Sequence, residues 1–299
     1  MNNKRSQSTL LLILLILFWG VSWPIYKTAV AYTPPLLFSG MRALFGGILL
    51  MFVIWKSHKE IQWRKHWKKY FISSFFNTVL FFGLHTIGLN YLPGGLFSVL
   101  VYVQPILLGL FAWLLLSERL SVIRIIGLVI GFIGIIIASW DGFTTHVSVI
   151  GVILALLTGI AWAYGVIYVK KISQEINAKW MVAIQSMIGG IVLTGAGTIT
   201  ESWSNIIWNA PYLTGLLFGM TIGIPVAYII YYTLVNNGNA SKIGSATFLV
   251  PVLSVMIGVI FLGETLTYKL LIGLALVGMS IYLVNFNEEK VKRKYDVAK

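Results

Sequence analysis

Ten apolar runs follow one another along the chain, at about residues 9–28, 35–55, 70–90, 94–117, 122–140, 147–169, 180–200, 208–234, 243–263 and 268–286. Short polar stretches separate them. Each run comes near the ~20 residues that a helix needs to cross a hydrocarbon layer ~30 Å thick. A segment in lipid must satisfy its own backbone, so the runs predict helices and an all-α membrane protein. The second run carries Arg42 and the third begins in a basic region, so the contrast between apolar and polar is lowest at those two boundaries. The first run follows Lys4 and Arg5, as a signal peptide would. It is long and has no A-x-A site, so it reads as a retained helix.

The pattern also repeats. Pro105 to Ile137 reads as a helix, a turn at Ser117-Glu118-Arg119, and a second helix. The same layout returns 146 residues later, from Pro251 to Leu283, with nine of 33 positions identical. Leu and Ile matches mean little in so apolar a chain. Pro105 with Pro251, Glu118-x-Leu120 with Glu264-x-Leu266, and Gly127 with Gly273 mean more, because a proline, an acidic turn and a glycine hold one register. They point to an internal duplication. The chain then divides into a five-helix repeat at 1–142, a second at 143–287 and a basic tail at 288–299.

Composition agrees with a bilayer. Only 10% of residues are charged, against ~25% in soluble domains. There is no cysteine, which excludes disulfides, thiolate metal sites and a Cys nucleophile. The net charge of +13 does not indicate nucleic acid, because the basic residues sit between the apolar runs and in the tail. Placing the amino terminus inside puts 19 of 22 Lys and Arg on the cytoplasmic side, so both termini are expected there, at the cell membrane. With five helices per repeat, the Glu118 turn then lies inside and the Glu264 turn outside. The two halves are therefore expected to be inverted, an architecture of transporters with a site at the midplane.

Pro105…Glu118-x-Leu120, Pro251…Glu264-x-Leu266, the FWGVSWPIYK run at Phe18–Lys27 and Arg42 early in the second helix together resemble the EamA family of the drug/metabolite transporter superfamily. The resemblance covers both halves. It implies ten helices in two inverted five-helix repeats, and the export of amino acids or other small metabolites. It also implies that helices 1, 3, 4, 6, 8 and 9 line the pathway.

The residues themselves nominate a site. Intramembrane ionisable groups are costly and so are functional candidates. Arg42 can fork a substrate carboxylate or snorkel from the outer end of its helix. His85 can titrate and bind, or bond a neighbouring helix while neutral. Trp19, Trp23 and Tyr26 fall on one face of helix 1 at i, i+4 and i+7. Trp162 and Tyr164 lie on helix 6, Tyr102 and Gln104 on helix 4, and Tyr231 on helix 8. Pockets for small solutes combine apolar walls with a few such polar groups. Tyr231 lies 146 residues after His85, the matching place in the other repeat. Pro105 and Pro251 interrupt equivalent helices and are expected to serve as hinges. Glu118 and Glu264 are expected to bond amides at the start of the helix that follows each turn.

No Asp or Glu lies in the middle of an apolar run, which disfavours a drug antiporter that exchanges a proton for a cation on a central carboxylate. There is no nucleotide loop, metal motif or nucleophile–base pair, so neither cofactor nor metal is expected, and no enzyme activity. Trp63–Trp67, rich in Lys and Arg, suits anionic headgroups better than nucleic acid. The partners expected are a small-molecule substrate and the lipid bilayer. The functional expectation is a secondary transporter exporting amino acids or similar metabolites by alternating access. A multidrug exporter is the alternative, with a membrane sensor or enzyme behind it.

Overall fold

The computed structural model describes residues 2–88, 91, 97, 100–118, 120–138, 140, 148–262 and 268–285, apart from a few side chains within helices. Among the described residues every regular element is a helix and no strand occurs. The first half contains α1 (Asn2–Val30) and α2 (Pro35–Val53). A third run joins α3 (Trp63–Ser74), a π-helical segment (Phe75–Leu80) and α4 (Phe81–Gly88). Then come α5 (Gln104–Leu116) and α6 (Val122–Ala138).

The order then recurs. α7 (Val149–Lys171) and α8 (Ala178–Thr200) precede a run of α9 (Ala210–Phe218), a second π-helical segment (Gly219–Val226) and α10 (Ala227–Asn237). α11 (Ala240–Ala246), α12 (Leu249–Leu262) and α13 (Tyr268–Asn285) complete it. Side-chain caps fix several starts. Ser148 accepts from the Gly151 amide at 3.3 Å, Asn177 from Lys179 at 2.9 Å and Asn209 from Tyr212 at 3.0 Å. Among the described residues six helices are long and apolar enough to cross a membrane: Gln7–Val30, Pro35–Val53, Trp63–Gly88, Val149–Lys171, Ala178–Thr200 and Ala210–Asn237. They are the first three of each half.

Two boundaries differ from the sequence pattern. The third helix begins at Trp63, not near residue 70, because Trp63, Tyr70 and Phe71 pack together along an otherwise basic turn. The run at 243–263 is not one helix. It is divided at Thr247-Phe248, where amides bond three residues back instead of four. A matching irregularity at Tyr102-Val103 precedes α5. Pro105 and Pro251 therefore sit in the first turns of α5 and α12, just past these breaks, and do not bend a continuous helix. Both π segments occupy matching places, since 75–80 advanced by the 146-residue offset falls at 221–226.

Helix packing follows the small residues. α2 runs along α8, and α6 runs along α13. Glycines permit the first approach: a Cβ at Gly47 would lie 2.6 Å from the Ala183 carbonyl and from the Met187 amide. Gly127 and Gly131 lie against Val284 and Ser280 in the second pair. Close backbone approach of this kind drives association in lipid, where apolar burial adds little.

Candidate functional site

Rings from both halves meet in the buried centre of the bundle. Trp19 on α1 lies 5.7 Å from Trp162, 5.6 Å from Tyr228 and 5.0 Å from Tyr231, centroid to centroid. Trp162 on α7 also meets Phe81 at 5.0 Å, Tyr102 at 6.3 Å and Tyr231 at 6.3 Å. The first and third helices of both halves supply these rings, together with Tyr102 just before α5. Most contacts are tilted or edge-on, as ring quadrupoles prefer.

Polar atoms are set into this aromatic box. Gln104 Nε2 donates to the Tyr231 hydroxyl at 3.3 Å. Gln104 Oε1 and Trp162 Nε1 are buried and make no hydrogen bond with the protein. A buried donor and a buried acceptor of this kind cost free energy unless something else meets them. Beside the box lies a second polar cluster. Ser73 Oγ donates to Gln185 Oε1 at 2.5 Å, and Gln185 Nε2 donates to the Tyr232 hydroxyl at 2.9 Å.

Arg42 does not snorkel. It is 5% exposed, and its guanidinium carbon lies 4.2 Å from the Tyr26 ring centroid, 4.8 Å from Phe82 and 5.3 Å from Phe38. Gly219 and Gly223 make the room. A Cβ at Gly219 would stand 3.1 Å from the Arg42 side chain, and one at Gly223 would collide with the Tyr26 hydroxyl. This Gly-x-x-x-Gly thus seats two side chains, whereas the one at Gly127 seats a helix.

The structure gathers Trp19, Tyr102, Gln104, Trp162 and Tyr231 into one site, with Tyr26 and Arg42 on its flank. His85 stacks on Phe97 at 5.4 Å and lies 6.3 Å from Phe81, at the border of the box. Tyr164 faces elsewhere, against Phe76 at 4.6 Å and Phe111 at 6.2 Å, because two helical residues separate it from Trp162 by more than half a turn. The Trp23 side chain lies outside the described residues. Tyr228 joins Tyr231 from the same aromatic helix. Phe81 and Phe82 were not singled out from the sequence, because no pattern separates them from ordinary core residues.

Glu118 does not bond the helix that follows it. Its carboxylate accepts from the Ala240 amide at 3.1 Å and from Lys170 Nζ at 2.5 Å. The turn at Glu118 folds toward α7 and α11, so its nearest free amide belongs to the other half. Glu264 lies outside the described residues. Sequence reasoning missed Glu201, whose two oxygens accept from Leu36 and Leu37 at 2.9 and 2.8 Å.

Comparison with known proteins places these features. The model of the EamA-like transporter family matches residues 7–140 and 149–286. A protein of Bacillus subtilis (strain 168) named "Uncharacterized transporter YvbV" is 46% identical over 288 residues, covering 96% of this chain and 94% of its own. A Salmonella typhimurium protein named "Probable amino-acid metabolite efflux pump" is 24% identical, covering 91% of this chain and 93% of its own. One solved crystal structure superposes with a TM-score of 0.80 at 19% identity, covering 94% of this chain and 96% of that one, which is a likeness of fold.

Proposed function

The chain belongs to the EamA-like transporter family, and from that membership we propose that it is a secondary transporter exporting amino acids or similar small metabolites across the cell membrane. The observation that carries the reading is the aromatic box, where Trp19, Trp162 and Tyr231 from both halves surround an unmet indole Nε1 and an unmet amide Oε1. Rings supply apolar walls and the two polar atoms orient a solute. The relative named as an amino-acid metabolite efflux pump agrees with the solute's size and class.

The two halves, 1–142 and 143–287, are five-helix repeats of opposite orientation, ten spans in all, with both termini and the 288–299 tail in the cytoplasm. Support comes from the recurrence of three long spans per half, the matching π segments, and the matching breaks before Pro105 and Pro251. Interrupted helices at equivalent places are where transporters of this plan bind and bend. Alternating access then follows from rocking one half against the other about the box, with the backbone at Tyr102-Val103 and Thr247-Phe248 absorbing the change.

A multidrug exporter is the competing reading, since an aromatic box can also hold an organic cation. The positive charge of Arg42 beside the box opposes it. Flux of a metabolite panel in proteoliposomes tests the proposal. Saturable export of an amino acid or a similar metabolite is the expected result. A quaternary ammonium compound as the best substrate would overturn it.

A further inference from the structure

The four described carboxylates are all engaged, and all at helix ends. Glu60 accepts from Asn177, Glu175 pairs with Lys69, Glu118 with Lys170, and Glu201 caps α2. None reaches Arg42. That guanidinium is nine-tenths buried, lies against the rings of Tyr26, Phe38 and Phe82, and has an Nε without a hydrogen bond. A buried cation without a counter-ion is costly. Ring faces offset part of that cost but give no hydrogen bond to the guanidinium edge.

Resting on the transport reading above, we propose that the solute is an organic carboxylate whose anionic group pairs with Arg42 while its apolar body lies in the aromatic box. The two places are contiguous. Tyr26, under the guanidinium, lies on the same helix as Trp19. Phe82, over the guanidinium, adjoins Phe81, which is 5.0 Å from Trp162. The planar fork of arginine matches a carboxylate with two parallel hydrogen bonds. The solute thereby supplies the counter-ion that the described residues do not. Among the described residues nothing anionic stands beside the box to receive an amine, so an ammonium group on the solute is not a recognition element. The substrate class is a monocarboxylate, and an amino acid is accepted through its carboxylate alone.

Three compounds with one aromatic body separate the charges at neutral pH: 3-phenylpropionate (anion), L-phenylalanine (zwitterion) and phenethylamine (cation). Binding to the full chain in detergent is followed by quenching of tryptophan fluorescence, and flux by counterflow in proteoliposomes. 3-Phenylpropionate is expected to bind at least as tightly as phenylalanine, and phenethylamine at least ten-fold more weakly. Arg42→Gln should remove the preference for the anion, and Arg42→Lys should retain its direction with lower affinity. Equal or tighter binding of phenethylamine overturns the proposal, as does a ten-fold advantage of phenylalanine over 3-phenylpropionate. Either result, accompanied by flux, leaves the transport reading standing. Absence of binding and flux for all three, in folded protein that also moves no member of the metabolite panel, overturns both. Should Arg42→Gln fail to insert, the wild-type charge series and Arg42→Lys decide.

Discussion

Glu118 and Ala240 are 122 residues apart, yet the carboxylate of one accepts the backbone amide of the other at 3.1 Å. Lys170 completes the junction, donating from Nζ to Glu118 at 2.5 Å and to the Gly238 carbonyl at 2.5 Å. The ends of α5 and α7 and the start of α11 are thereby held together. The side chains of Lys170 and Glu118 are 14% and 15% exposed, so screening is incomplete. Removing the carboxylate leaves a largely buried ammonium and a bare helix amide, a loss of about 2 kcal/mol. Glu118→Ala is expected to lower the unfolding temperature in detergent, with Glu118→Gln between it and the parent. Unfolding of Glu118→Ala at the parent temperature would contradict this.

At the start of α2, Glu201 does the reciprocal work from the second half, binding the Leu36 and Leu37 amides. An anion at a helix start also meets the positive end of the helix dipole. Glu201→Ala should cost about 1 kcal/mol. Hydrogen exchange at Leu36 and Leu37 should accelerate while α8 stays protected. Unchanged exchange at both amides would show that the cap contributes nothing.

Gly223 is kept small by the Tyr26 hydroxyl. Gly223→Ala should destabilise by about 1–3 kcal/mol, the range for overpacking. Tyr26→Phe removes the oxygen that collides, so the double variant should recover most of that loss. If Tyr26→Phe gives no recovery, the clash lies elsewhere.

Trp162→Ala empties one wall of the aromatic box, and His85→Ala changes its border. Both are expected to depress substrate flux, Trp162→Ala by at least ten-fold, with normal membrane insertion. Losses of two-fold or less in both would remove these residues from the site.

The parent chain has no cysteine, so an introduced one reports cleanly. Ser117→Cys and Gly263→Cys stand 146 residues apart, the offset at which the sequence repeats. With impermeant reagent they should label from opposite faces of the membrane. Labelling from one face would refute the inversion.

The duplication, the helical class and most of the box were legible in the chain itself. Apolar runs of membrane length leave the backbone one way to satisfy itself, and Pro105, Glu118 and Gly127 mark their counterparts by residue type. Trp19, Tyr102, Gln104, Trp162 and Tyr231 were visible because polar and amphipathic side chains are conspicuous in an apolar helix. Helical period also separates Tyr164 from Trp162, but it does not say which face turns inward.

Only the tertiary structure decided the partners. In lipid the apolar faces of helices are nearly interchangeable, so neighbours are chosen by close approach at small residues such as Gly47 and by polar atoms that need company. That choice set Arg42, whose position near a helix end also allowed it to snorkel, among Tyr26, Phe38 and Phe82. It sent Glu118 to Ala240 rather than to the next helix, because the amide that lacked a partner within reach belonged to the other half. Sequence supplies the residues that must find partners, and the packing of helices determines which ones they find.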